Sequence, residues 1–155
     1  AEILTNEAYG IELDGRYSHD SGFSLSVNAT LQETEITASA TNEGNEAQRQ
    51  PGWQVRLTPS YDFEIADMYA TLYGTLSAVD DRFGDNENTI VLEGYEKIDV
   101  GLTLEPTDSV RVQFSVDNLT DEQGITEGDP RNPAAPNGRY IMPRSMKLSV
   151  SYLYF

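Results

Sequence analysis

The chain has 155 residues and a formal net charge of −16, from 26 Asp and Glu against 10 Lys and Arg; that balance speaks against nucleic acid as a partner, because phosphates are gripped by surplus Lys and Arg. With no Cys, disulfides and thiolate metal sites are excluded. No run approaches the ~18 apolar residues of a membrane-spanning helix, a test that leaves a β-barrel open because its lipid-facing residues alternate with polar ones.

The first residues, Ala1-Glu2-Ile3-Leu4, carry no initiator Met, basic region or apolar signal segment. They read as the start of a fragment or of a secreted chain without its signal. Period-2 alternation then dominates, and no convincing amphipathic helix occurs. Tyr9, Ile11, Leu13 and Tyr17 alternate with Glu12, Asp14 and Arg16. Phe23, Leu25, Val27, Ala29 and Leu31 alternate with Ser24, Ser26, Asn28 and Thr30. Trp53, Val55, Leu57, Tyr61 and Phe63 follow the same rule against Gln54, Arg56, Thr58 and Ser60. Met68, Ala70, Leu72 and Leu76 oppose Tyr69, Thr71, Tyr73 and Thr75. Ile98, Val100, Leu102 and Leu104 form the next set, then Val110, Val112, Phe114 and Val116, and last Met146, Leu148, Val150, Tyr152 and Tyr154. That predicts about seven strands, each long enough for the ~9–11 residues of a tilted membrane strand.

A soluble sandwich of two antiparallel sheets shows the same alternation. The connections discriminate. His19-Asp20-Ser21-Gly22, Glu64-Ile65-Ala66-Asp67 and Pro106-Thr107-Asp108-Ser109 are tight. Between them, 37–50, 78–94 and 118–144 are long and polar. Short and long alternate, as periplasmic turns and extracellular loops do in outer-membrane barrels. A sandwich has no physical reason for that rule, and long structureless loops are unusual in compact soluble domains. The tight turns then mark the periplasmic side. With seven strands the chain starts on the extracellular side, so the expectation is a piece of a larger barrel. Tyr9, Tyr17, Trp53, Tyr61, Phe63, Tyr95, Tyr140, Tyr152 and Tyr154 fall mostly near strand ends, where interfacial girdles are expected.

The chain ends Ser149-Val150-Ser151-Tyr152-Leu153-Tyr154-Phe155. Soluble termini usually fray, whereas the last strand of a barrel must pair to remove an edge. This ending resembles the C-terminal strand of bacterial outer-membrane proteins, which implies recognition of Phe155 by the barrel-assembly machinery.

One segment is more specific. Val112-Gln113-Phe114-Ser115-Val116-Asp117-Asn118-Leu119-Thr120-Asp121 resembles the xNLxD segment near the end of TonB-dependent outer-membrane receptors. There the penultimate strand leaves the membrane for the last extracellular loop. Tyr95-Glu96-Lys97-Ile98-Asp99-Val100-Gly101-Leu102 and Pro106-Thr107-Asp108-Ser109-Val110 match the family's approach to that motif. Gly124-Ile125-Thr126-Glu127-Gly128-Asp129-Pro130-Arg131 resembles a loop of receptors often linked to carbohydrate uptake. The resemblance covers essentially residues 1–155 as the C-terminal part of the barrel. It implies an all-β fold, an antiparallel transmembrane β-barrel segment of about seven strands from a barrel of about 22. It also implies a transporter rather than an enzyme, without cofactor or metal, in the outer membrane of a Gram-negative bacterium. The ligand would be a carbohydrate, siderophore or peptide. The partners would be the remainder of the barrel, the plug domain, the TonB complex through that plug, and outer-membrane lipid. Two departures stand out. Phe155 falls out of phase with Leu148, Val150, Tyr152 and Tyr154, unless a bulge near Leu153 restores it. The plug and the TonB box are absent from these residues.

Other chemistry is sparse. His19 is the only histidine and sits in a tight turn, where a solvated residue is the simpler reading than a catalyst. Asp80, Asp81, Asp85 and Glu87, and Asp121, Glu122, Glu127 and Asp129, supply oxygens for Ca²⁺ but lack EF-hand spacing, so solvated loops are the simpler reading. Arg131 is the preferred ligand contact, since guanidinium grips carboxylates and stacks on sugars, with Asp129 and Tyr140 as helpers. The bland alternative is an ion pair that orders its own loop. Arg16, Arg56 and Arg111 fall on the hydrophilic face, to neutralise acidic neighbours or meet the plug. Two other classes stay open: a soluble or cell-surface β-sandwich binding module, and a small independent barrel with a structural or adhesive role.

Overall fold

The computed structural model describes residues 4–128 and 138–154. Alternation along each predicted strand becomes a single antiparallel meander. Its strands are β1 (Thr5–Ser18), β2 (Phe23–Ala38), β3 (Trp53–Ile65), β4 (Met68–Val79), β7 (Tyr95–Thr107), β8 (Val110–Asp117) and β11 (Ser145–Tyr152), in that spatial order. Two small hairpins lie in the long connections: β5 (Arg82–Phe83) with β6 (Val91–Leu92), and β9 (Ile125–Gly128) with β10 (Gly138–Tyr140). Sequence reading missed these four, because two to four residues are too few to show a period.

Register keeps one face apolar. Gly15, Val27, Leu57, Leu76 and Ile98 form a continuous row across five strands, and Leu72, Leu102, Phe114 and Leu148 form another across four. Nothing in the described chain covers this face: Ile11 is 70% exposed and Leu148 69%. A second sheet would have to lie here in a sandwich, and none does, so the soluble-sandwich alternative fails. In a barrel the same surface faces lipid. From Tyr9 to Tyr17 the apolar stripe of β1 runs about 27 Å along the strand, or about 19–22 Å across a membrane at a barrel tilt of about 35–45°, somewhat short of the ~25 Å band of outer-membrane barrels. Above it Glu33 and Glu35 occupy the same face of β2, and Tyr9 donates a 2.7 Å hydrogen bond to Glu33 at that boundary.

The sheet is open. β1 and β11 are its edges and do not pair with each other. An edge left exposed in lipid would leave several amides unsatisfied.

The tight turns behave as expected. Gly22 adopts φ 91°, where its carbonyl accepts from Asp62 N–H (3.0 Å) and a Cβ would strike the Asp62 carbonyl. Ala66 and Asp67 both have positive φ and close a two-residue hairpin. His19 is an exposed turn residue whose Nδ1 accepts from Ser21 N–H (3.1 Å). β11 runs without a register shift to Tyr152, and Leu153 N–H still reaches Ser109 O at 2.8 Å. Phe155 lies outside the described residues.

Candidate functional site

Most of the buried residues sit at the end opposite the tight turns. Residues 39–52, 80–94, 118–128 and 138–144 gather there, and Ile36, Ala47 and Leu92 are buried among them. The first loop folds back over β2: Ile36 N–H donates to Asn45 O (2.8 Å) and Gly44 N–H to Ile36 O (2.9 Å). It is then tied to the second loop. Asn45 Nδ2 donates to Asn86 O (2.9 Å), Glu46 N–H to Asn88 Oδ1 (2.8 Å), and Arg49 N–H to Phe83 O (2.7 Å). Backbone groups thus find partners in neighbouring loops where no strand ladder is available.

The second loop is organised by Asp85. Its carboxylate accepts from the Thr89 hydroxyl, from Thr89 N–H (3.0 Å) and from Ile90 N–H (3.0 Å). Burial works to raise this carboxyl, and those hydrogen bonds outweigh it, so Asp85 is held below the usual carboxylate range. Asp80 goes the other way. Burial first, then the adjacent Asp81, raise its carboxyl above the usual value.

Arg82 joins the second loop to the third. Only 7% exposed, it donates to the carbonyls of Ile125 (2.9 Å) and Thr126 (3.2 Å), and its guanidinium lies 6.0 Å from the centre of the Tyr95 ring. Glu127 pairs with Arg49 (3.0 Å) and Arg139 (3.1 Å), which brings the first loop into the same unit. Tyr95 therefore departs from the girdle expectation. Its register partner is Val79 on the polar face, and its ring packs on Gly124.

Asn118 closes the base of the third loop. It is 1% exposed, with φ 52°. Its N–H donates to Asp99 (2.8 Å), its Nδ2 to the carbonyls of Glu122 and Met142 (2.9 Å each), and its Oδ1 accepts from Glu122 N–H (2.9 Å). Asp121 then accepts from Arg144 N–H (2.9 Å). The Asn-Leu-Thr-Asp motif is thus a clasp that holds both ends of a long loop together.

Between the first two loops lies a cleft of about 430 Å³, lined by polar groups including Gln32, Glu33, Glu46, Asp80, Asp81 and Arg82. Of the sequence-stated contacts, Arg131 and Asp129 lie outside the described residues. Tyr140, on β10 opposite Ile125, is 60% exposed and does not line this cleft. Among the described residues no three carboxylate or imidazole groups converge as a metal site. Arg82 escaped sequence reading because its flanking Asp80-Asp81 makes it look like solvated charge.

The family profile described as "TonB dependent receptor-like, beta-barrel" matches residues 5–119. The chain belongs to this TonB-dependent receptor family. Solved structures agree on the fold. The ferric yersiniabactin uptake receptor FyuA from Yersinia pestis superposes with a TM-score of 0.90 at 20% identity, over 98% of this chain and 24% of FyuA. BauA, the ferric preacinetobactin receptor from Acinetobacter baumannii, gives 0.80 at 27% identity, over 96% of this chain and 22% of BauA. The siderophore receptor PiuA from the same species gives 0.82 at 19%, over 97% and 22%. No curated protein matches the chain. TonB-dependent receptors are outer-membrane barrels of Gram-negative bacteria that act in transport rather than as enzymes, and this chain spans less than a quarter of the length of the three compared.

Proposed function

We propose that residues 1–155 form the C-terminal wall and ligand-side loops of an active transporter in the outer membrane of a Gram-negative bacterium. The remaining strands pair with β1 and β11. A plug domain outside these residues fills the lumen and couples the receptor to the TonB complex. Lipid surrounds the apolar face, and Phe155 serves the barrel-assembly machinery.

One observation carries this reading: three long loops are fastened into a single polar cap, by Arg82 and the Asn118 clasp, at the end of the sheet away from the tight turns. Loops placed on a rigid scaffold are where ligand contact is built. Among siderophore, carbohydrate and peptide, the names of FyuA, BauA and PiuA favour a siderophore. The cleft lining sets Glu46, Asp80 and Asp81 against Arg82 alone, the Glu33 carboxylate being turned to Tyr9 on the outer face. It suits a ligand that presents neutral or cationic groups there better than a polyanion.

Arg131, with Asp129 and Tyr140, remains the proposed contact in the third loop. In the complete receptor, Arg131→Ala should weaken ligand binding and leave heat-resistant barrel migration on gels intact. Uptake of labelled iron–siderophore, compared with labelled oligosaccharide and peptide in starved cells, tests the ligand class. Uptake of none of them, with the barrel correctly assembled, would overturn the transport reading.

A further inference from the structure

Surface loops usually open one at a time, because each bonds to itself or to water. Here the loops bond to one another. Glu46 N–H of the first loop donates to Asn88 Oδ1 of the second (2.8 Å), and Asn88 Nδ2 donates back to Glu46 O (3.0 Å). Arg49 N–H reaches Phe83 O at 2.7 Å. Between the second loop and the third, the guanidinium of Arg82 serves the Ile125 and Thr126 carbonyls from a buried position. The exposed pairs of Glu127 with Arg49 and Arg139 add little, because water screens them. Each loop is also pinned to the wall at its base. Gln32 N–H donates to Gly52 O (2.8 Å), Asp80 N–H to Trp53 O (3.0 Å) and Leu119 N–H to Ile98 O (2.7 Å).

We propose that the three loops are one cooperative body fixed to the wall, which opens as a whole or stays shut as a whole. The short strand β5 is what couples them. Its two residues are neighbours with different duties: the Phe83 carbonyl holds the first loop, and the Arg82 side chain holds the third. A shift of β5 therefore breaks both joins at once. Parting the first loop from the second also strands both Asn88 bonds. Parting the third from the second leaves the Arg82 charge without acceptors in a site closed to water, which costs more than losing a neutral bond. What the device does rests on the reading of the chain as receptor wall. An incoming solute meets one rigid surface here, and the movement that closes over it belongs to loops beyond these residues.

The test is native-state hydrogen exchange on the complete receptor in detergent, at urea concentrations below unfolding. The amides of Arg49, Gly84 and Ile141 report one loop each. They donate within the cap to Phe83 O, Ile90 O and Gly124 O, at 2.7, 2.8 and 2.9 Å. All three should exchange through one opening, with a common urea dependence. Asn88→Gly tolerates the positive φ of 54° and removes both bonds to Glu46. It should speed exchange about 10-fold at Arg49, and by the same factor at Ile141, which Asn88 does not touch. Arg82→Lys, at the other join, should likewise speed all three amides while those of the sheet hold. Faster exchange confined to the loops beside the substitution overturns the proposal, as do separate urea dependences in the wild-type protein. A wild-type chain that forms no heat-resistant barrel overturns the transporter reading itself. An assembled barrel whose loops open separately overturns only the proposal.

Discussion

The ring of Tyr73 on β4 lies across the backbone of Gly101, its register partner on β7, and its hydroxyl accepts a 2.6 Å hydrogen bond from Gln113 on β8. One side chain thus links three strands on the polar face. Glycine in a strand interior is normally a weakness, and a covering aromatic offsets it. A Cβ at residue 101 would collide with the ring. Gly101→Ala should therefore cost about 1–3 kcal/mol by displacing it. Tyr73→Ala should cost a similar amount, and the double variant less than the sum, because both changes break one contact. Urea unfolding of the complete receptor in liposomes reads all three.

The two faces of β7 predict opposite tolerances. Val100 pairs with Gly74 and Val116 on the apolar face, whereas Thr103 pairs with Thr71 and Gln113 on the polar one. Val100→Arg should destabilise by about 2–4 kcal/mol near the membrane midplane. Thr103→Arg should cost much less, since its head stays in water. Equal losses in liposome unfolding would contradict this sidedness.

These paired expectations show what the sequence made legible. Alternation assigned Val100 and Thr103 to opposite faces because every sheet strand here has one lipid and one wet side. The alternation of turn lengths likewise fixed which end is which. The loop cap was not legible in the same way. Arg82 grips the carbonyls of Ile125 and Thr126, and a backbone carbonyl leaves no mark on composition. Tyr95 was placed in a girdle because an aromatic near a strand end reads the same whether it faces lipid or a neighbouring loop. Asn118 was legible through its motif, though not its reach to Met142.

The Ala66–Asp67 hairpin holds both residues at positive φ, 49° and 60°. Alanine is a poor choice there, and Asn-Gly is the preferred pair for such a turn. Ala66→Asn with Asp67→Gly should stabilise the barrel by about 1–2 kcal/mol. The unfolding midpoint in urea should rise while the slope stays constant.

Asp85 sets a pH limit on the second loop. Its folded carboxyl titrates below the unfolded one, because the Thr89 and Ile90 hydrogen bonds outweigh the cost of burial. Its contribution is therefore fully present above the ordinary Asp value of about 3.9, and is lost as pH falls through the lower folded value. Hydrogen exchange at the Thr89 and Ile90 amides, corrected for intrinsic rates, should show the same protection at pH 7 and pH 5. Asp85→Asn should reduce that protection at every pH, because the neutral amide is a weaker acceptor. Protection lost already at pH 5 would contradict the assignment.

Arg82 separates a structural from a ligand-contacting role in the cap. It is buried against carbonyls and the Tyr95 ring, so Arg82→Ala leaves the Ile125 and Thr126 carbonyls without their donor, at about 1–3 kcal/mol. That loss falls on the join between the second and third loops rather than on the sheet. Arg82→Ala should raise protease sensitivity at residues 118–144 and weaken ligand binding about 10-fold, with barrel migration unchanged. Arg82→Lys keeps the charge but loses the planar fork, and should recover only part of the binding. If Arg82→Ala weakens binding with no change in loop sensitivity, Arg82 touches the ligand from the cleft. If it loosens the loop and binding holds, the third loop takes no part in recognition.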